Sequence, residues 1–164
     1  MYTVRFQLEL SESEKRFLSK SFFYANQMHN QLVRYATNRL NALFHDTEYV
    51  GARKAYGKAE FSKKKGSEKK KKKELSNIMC IKQKEYNLTK TFLCKFVSKE
   101  QKKYKNYINS HQAQAEAEAV YKGVEKVLFE DGRHLHYRRY NSFDCIKQKC
   151  AATGVRLLRW DTIC

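Results

Sequence analysis

The sequence predicts an α+β chain that is predominantly helical, with a helical insert between short strands, and three patterns carry that expectation. Residues 3–10 alternate apolar and polar, residues 12–44 repeat apolar positions every three or four, and after Gly132 the period returns to two.

In the opening strand Val4, Phe6, Leu8 and Leu10 share one side, opposite Thr3, Arg5, Gln7 and Glu9. Ser11 followed by Glu14 is a capping-box signature, and Leu18, Phe22, Ala25, Met28, Leu32, Ala36, Leu40 and Leu43 then trace one long amphipathic helix. Between Arg53 and Lys73 stand eleven Lys or Arg with only Glu60 and Glu68 in opposition, around the low-complexity stretch KKKGSEKKKKK. Such a composition buries little apolar surface, so a flexible basic loop is expected over 53–74. Helical spacing resumes over 76–108 with Ile78, Ile81, Phe92, Phe96, Val97, Tyr104 and Ile108, interleaved with Lys95, Lys99, Lys102, Lys103 and Lys105. Ser110 is placed as the cap of a third helix with an inward stripe of Ala113, Ala117, Val120, Val124, Val127 and Leu128, and Gly132 as its terminator. Two short strands, one around Leu135 and Tyr137 and one over Val155 to Trp160, close the chain. The expected organisation is a first strand over 1–11, a helical lobe over 12–131 and a return to strands over 132–164.

With 34 Lys plus Arg against 17 Asp plus Glu, the formal net charge is +17, beyond what solubility requires. A polyanionic partner, RNA and/or DNA, is the expectation. The aromatic residues are spread along the chain rather than gathered into an insertable stripe, which argues against a membrane surface. MYTVRFQLEL lacks a signal-type apolar core, and no apolar run is longer than the one from Phe22 to Ala25, so a soluble cytoplasmic chain is expected. The cysteines, Cys80, Cys94, Cys145, Cys150 and Cys164, are an odd set without framework spacing and are expected as reduced thiols. Proline is absent, so helices can run without breaks.

Several stretches taken together resemble a known family. These are the short first strand, the helix motif FFYANQMHNQLVRYA with Ala25, Asn26 and Asn30, and the block that starts at Ser110 to Ala113 and runs through VEKVLF into HLHYRRY. They are similar to the N-terminal part of transposon-encoded RNA-guided nucleases of the OrfB or TnpB type and of related type V CRISPR effectors, over about residues 2 to 156. The resemblance implies that the strands build a partial oligonucleotide-binding-like wedge barrel and that the helices form a recognition lobe for guide RNA and target DNA. Family members continue into a RuvC-like domain with three metal-binding carboxylates and often a zinc-binding insert, neither of which this sequence carries. LLRWDTIC fits the family poorly, and a truncated or frameshifted end is the expectation there.

The contact candidates are cationic or aromatic. Arg5, Arg53, Lys54, Lys63, Lys64, Lys65, Lys69, Lys70, Lys71, Lys72 and Lys73 are read as followers of a phosphate backbone. Lys102 and Lys103 join them beside Tyr104, which with Tyr86 and Tyr107 is a candidate for stacking on unpaired bases, while Phe92 and Phe96 are expected in the core. Arg133, His134, His136, Arg138, Arg139 and Tyr140 crowd one predicted strand and form the preferred contact patch.

No catalytic constellation emerges, and no enzymatic activity, metal or cofactor is expected. His134 and His136 are at most a metal half-site, and Cys145 and Cys150 lack knuckle spacing. No local signature supports a Cys and His nucleophile. Asp161 stands alone, and Glu116 and Glu118 point in different directions on their helix. The expected function is binding of guide RNA or an RNA–DNA heteroduplex without cleavage. Two alternatives remain: the N-terminal share of a split or frameshifted endonuclease completed by a separate nuclease chain, and a basic structural RNA-binding protein.

Overall fold

The computed structural model describes residues 9–61, 67–130 and 132–139. Among them the elements are α1 (Glu12–His45), α2 (Thr47–Phe61), α3 (Ser67–Glu85), α4 (Lys90–Gln101), a single 3-10 turn (Lys102–Tyr104) and α5 (Ser110–Phe129). Helix α1 starts at the expected place. Ser11 accepts from the Glu14 amide, and the Glu14 carboxylate accepts from the Ser11 amide at 2.8 Å, so two orphan donors of the first turn are satisfied.

The α+β expectation is corrected: the described residues are helical and contain no strand, so neither a sheet nor an oligonucleotide-binding-like barrel is seen. The predicted opening strand falls on residues 1–8, outside the described set, apart from Glu9 and Leu10, which are irregular. The run at 155–160 is also outside it. Residues 132–139 are described, and they run without ladder partners. The expected alternation breaks down there as well: Leu135 is buried, Tyr137, its expected companion on the inward side, is 56% exposed, and Arg138 is half-buried.

The basic segment 53–74 is corrected as well. Arg53–Phe61 continues α2 and Ser67–Glu74 opens α3, with residues 62–66 outside the described set. Two forces outweigh the composition. Lysine is a good helix former, with little rotamer freedom to lose. The two helices also form an antiparallel hairpin, in which Lys72 Nζ lies 5.8 Å from the centre of the Tyr56 ring and Lys82 meets Glu48 at 2.8 Å. Little apolar area is needed, because Tyr49, 1% exposed, and Ala52 anchor the hairpin.

The single helical region expected over 76–108 divides in two. Asn87 adopts φ 59°, the Leu88 amide bonds to the Gln83 carbonyl and the Asn87 amide to the Lys84 carbonyl. This is a Schellman closure of α3, with Asn in the left-handed position usually taken by Gly. Thr89 then caps α4 by accepting from the Phe92 amide.

Helices α1, α4 and α5 surround the main core, built from Met28, Leu32, Ala36, Leu40 and Leu43 of α1, Leu93 and Val97 of α4, and Ala113, Ala117, Val120 and Val124 of α5. Phe92 and Phe96, expected inside, lie at the core's edge and stack on Tyr35, while Ile81 is exposed. The cap of α5 is Asn109, one residue before the expected Ser110, in a reciprocal box with Gln112.

Candidate nucleic-acid interface

The region that follows α5 is shaped by a close backbone approach. The Gly132 amide bonds to the Lys126 carbonyl at 3.2 Å, and a Cβ on Gly132 would sit 2.8 Å from the Lys126 carbonyl carbon. Only glycine lets the chain fold back this tightly. Residues 132–139 then pass over α1 and α5.

What holds them is a set of polar side chains on otherwise apolar helix faces. Asn26, His29 and Asn30 are buried on α1, spaced three and four apart, and Glu116, 1% exposed, is buried on α5. The Asn30 amide pairs with both backbone groups of Arg138: its Oδ1 accepts from the N–H and its Nδ2 donates to the C=O, each at 2.8 Å. One asparagine thus supplies the donor and acceptor that a neighbouring strand would have provided. Asn26 Nδ2 donates to the Arg139 carbonyl at 3.2 Å.

Glu116 divides its two oxygens between partners: His29 Nδ1 donates to Oε2 at 2.9 Å, and Arg138 Nη1 donates to Oε1 at 2.8 Å. A carboxylate only accepts, so the proton on His29 Nδ1 follows from the geometry. His29 Nε2 lies 3.4 Å from the His136 carbonyl oxygen. Burial acts to raise the Glu116 carboxyl, but the hydrogen bonds from His29 and Arg138 outweigh it and hold the group below the usual glutamate range. The segment is therefore tied down at backbone and side chain alike.

This arrangement redistributes the predicted contact residues. Arg138 is committed inward to Glu116, and Leu135 is buried beside Gly123. Arg133, His134, His136, Tyr137 and Arg139 are exposed, with the two imidazoles edge to face at 4.7 Å between ring centres. Among the described residues no group of three His, Cys, Asp or Glu gathers as metal ligands. The structure also joins two candidates far apart in sequence: Arg53, whose guanidinium lies 5.4 Å from the centre of the Phe44 ring, and Arg133 line one cavity of about 550 Å³ with Val127, Glu130 and Gly132.

Elsewhere the expected contacts separate. Lys54, Lys70, Lys71 and Lys73 are exposed on the α2–α3 hairpin, Lys72 is half-buried against Tyr56, and Lys69 belongs to α3. Lys102 is exposed, whereas Lys103 pairs with Glu100 at 2.8 Å. Tyr104 stacks on Tyr24 at 4.8 Å, Tyr107 approaches the same ring at 5.0 Å, and the Tyr86 hydroxyl donates to Asp46 at 3.1 Å. These three tyrosines are partly buried and serve internal packing, so Tyr137, 56% exposed, is the better base-stacking ring. Arg5, Lys63, Lys64, Lys65 and Tyr140 lie outside the described residues.

The residues that sequence reasoning missed are the ones that hold the segment. Their signal was present: polar Asn26, His29 and Asn30 interrupt the apolar stripe of α1, and Glu116 interrupts that of α5. Polar groups on inward faces demand partners. No described helix is long and apolar enough to cross a membrane. Comparison of the chain with protein-family models, with curated proteins and with solved structures finds no match.

Proposed function

We propose that this chain binds nucleic acid through its cationic surface, gripping the backbone by shape and charge without cutting it. The observation that carries this reading is the fastened segment 132–139, which displays Arg133, His134, His136, Tyr137 and Arg139 on a backbone held by Asn26 and Asn30. Side chains mounted on an already ordered backbone lose less entropy on binding than those of a loop. Arginine and histidine on such a mount reach phosphates and 2′-hydroxyls, and Tyr137 adds a face for an unpaired base.

The +17 net charge supplies the long-range attraction. The similarity to TnpB-type proteins noted from the sequence adds a finer proposal, that the polymer is a guide RNA or an RNA–DNA heteroduplex whose sequence is read by base pairing. The test is a gel-shift titration with structured RNA, RNA–DNA hybrid and duplex DNA at two salt concentrations. Binding that weakens steeply with salt is expected, tightest for the RNA-containing probes. Absence of binding to all three at low salt would overturn the proposal.

A further inference from the structure

Helix α4 has two unlike sides. Leu93 and Val97 enter the core and Cys94 packs partly against it, while Thr91, Lys95, Ser98 and Lys99 turn away; these four and Cys94, with Lys90, Lys102 and Gln114 of α5, line an open groove of about 600 Å³. Four of these lining residues are lysines and none is a carboxylate. Lys90 is tied to Glu118 at 3.1 Å. Lys95, Lys99 and Lys102 have no carboxylate partner among the described residues and stand at i, i+4 and i+7, so their ammonium groups follow one line along the groove. Like charges in such a row repel one another unless an anion lies along them.

The groove is separate from the segment held by Glu116. Gln114, which lines the groove, and Glu116, which anchors that segment, are two residues apart on α5, about 160° around a helix of 3.6 residues per turn. The two surfaces thus lie on nearly opposite faces of α5. Their chemistry also differs. The groove offers ammonium groups, two hydroxyls, a thiol and an amide but no aromatic ring, so it reads phosphate and not bases.

We propose that the α4–α5 groove is a second, independent site for a linear phosphate chain, with successive phosphates along Lys95, Lys99 and Lys102. The inference rests on the nucleic-acid reading for the identity of the polymer, and on the groove alone for the chemistry. With both faces of α5 engaged, the protein holds two separate backbone segments at once.

Two variants test it, each checked by circular dichroism for an intact helical fold, against a short oligouridylate and against inorganic polyphosphate. The first, Lys95→Gln with Lys99→Gln and Lys102→Gln, removes the row of charges. Losing three phosphate contacts lowers the log–log salt slope for the oligonucleotide by about 2, at about 0.7 per contact on a single strand. The second, Gln114→Trp, fills the groove and leaves every charge in place. It weakens both probes severalfold if the groove is occupied and neither if charge acts at large. Unchanged slope in the first variant, or wild-type affinity in the second, overturns the proposal. Oligonucleotide binding indifferent to both variants removes the groove and spares the nucleic-acid reading. Groove-dependent binding of polyphosphate without binding of RNA does the reverse.

Discussion

Asn30 carries more of the candidate interface than any cation does. Its two bonds of 2.8 Å fix the backbone of Arg138, and replacement by alanine leaves that N–H and C=O without protein partners. Because Arg138 is part-buried, water replaces these bonds incompletely, and Asn30→Ala is expected to destabilise the chain by about 2 kcal/mol in urea unfolding. RNA affinity should fall with it, although no positive charge is removed. Glu116 makes a different prediction. Its carboxyl is held below the ordinary value of 4.5, so the folded state takes up a proton less readily than the unfolded one. The associated stability is present above that value and is lost as pH falls through the lower, folded-state value. Glu116→Gln keeps the shape but removes the charge between His29 and Arg138, and a loss of about 2 kcal/mol at neutral pH is expected, less than for a fully buried pair because Arg138 reaches solvent. The variant should also show a shallower acid limb in a pH series of urea midpoints. An acid limb identical to the wild type's would refute this role for Glu116.

At the scale of elements, the sharpest feature is the reversal between α3 and α4. Asn87 at φ 59° closes α3 with two backbone bonds, and Leu88, 1% exposed, follows it into the core. A β-branched side chain in the left-handed region clashes with its own backbone, so Asn87→Val should cost about 1–2 kcal/mol. Asn87→Gly should be tolerated, and thermal unfolding of the pair separates backbone strain from loss of the side chain. The same reversal explains why one helical region was expected over 76–108. Periodicity runs through Ile78, Phe92 and Phe96 without a proline or glycine to interrupt it, and asparagine is a weaker stop signal than either. Helix α1 was legible throughout, because its capping box and its stripe from Leu18 to Leu43 agree at every turn.

For the whole molecule, the placement of charge matters more than its amount. Arg53 and Arg133, 80 positions apart in the sequence, line one cavity beside the fastened segment. If both meet phosphates of one strand, Arg53→Ala with Arg133→Ala lowers the salt slope for single-stranded RNA by about 1.4, at about 0.7 per contact. A double variant whose slope matches the wild type's would place the strand elsewhere. Charge reversal at Lys54, on the exposed side of the hairpin, serves as a control for the field of the molecule as a whole.

Local information alone determined the long first helix, the start of α5 to within a residue and the cationic character of the surface, since caps, 3.6-residue periodicity and net charge are properties of neighbouring residues or of sums. Tertiary structure decided three things. The lysine-rich stretch became part of a helical hairpin because a partner helix was there to pack on. Residues 132–139 found their hydrogen bonds in Asn26 and Asn30, more than a hundred positions away, so the segment is held without a strand and Tyr137 turns outward while Leu135 turns in. Arg138 turned inward because Glu116 of α5, itself bonded to His29 of α1, meets its guanidinium. Each outcome depends on contacts between distant residues, and a periodicity read along the chain carries no record of which distant side chain will answer a backbone group.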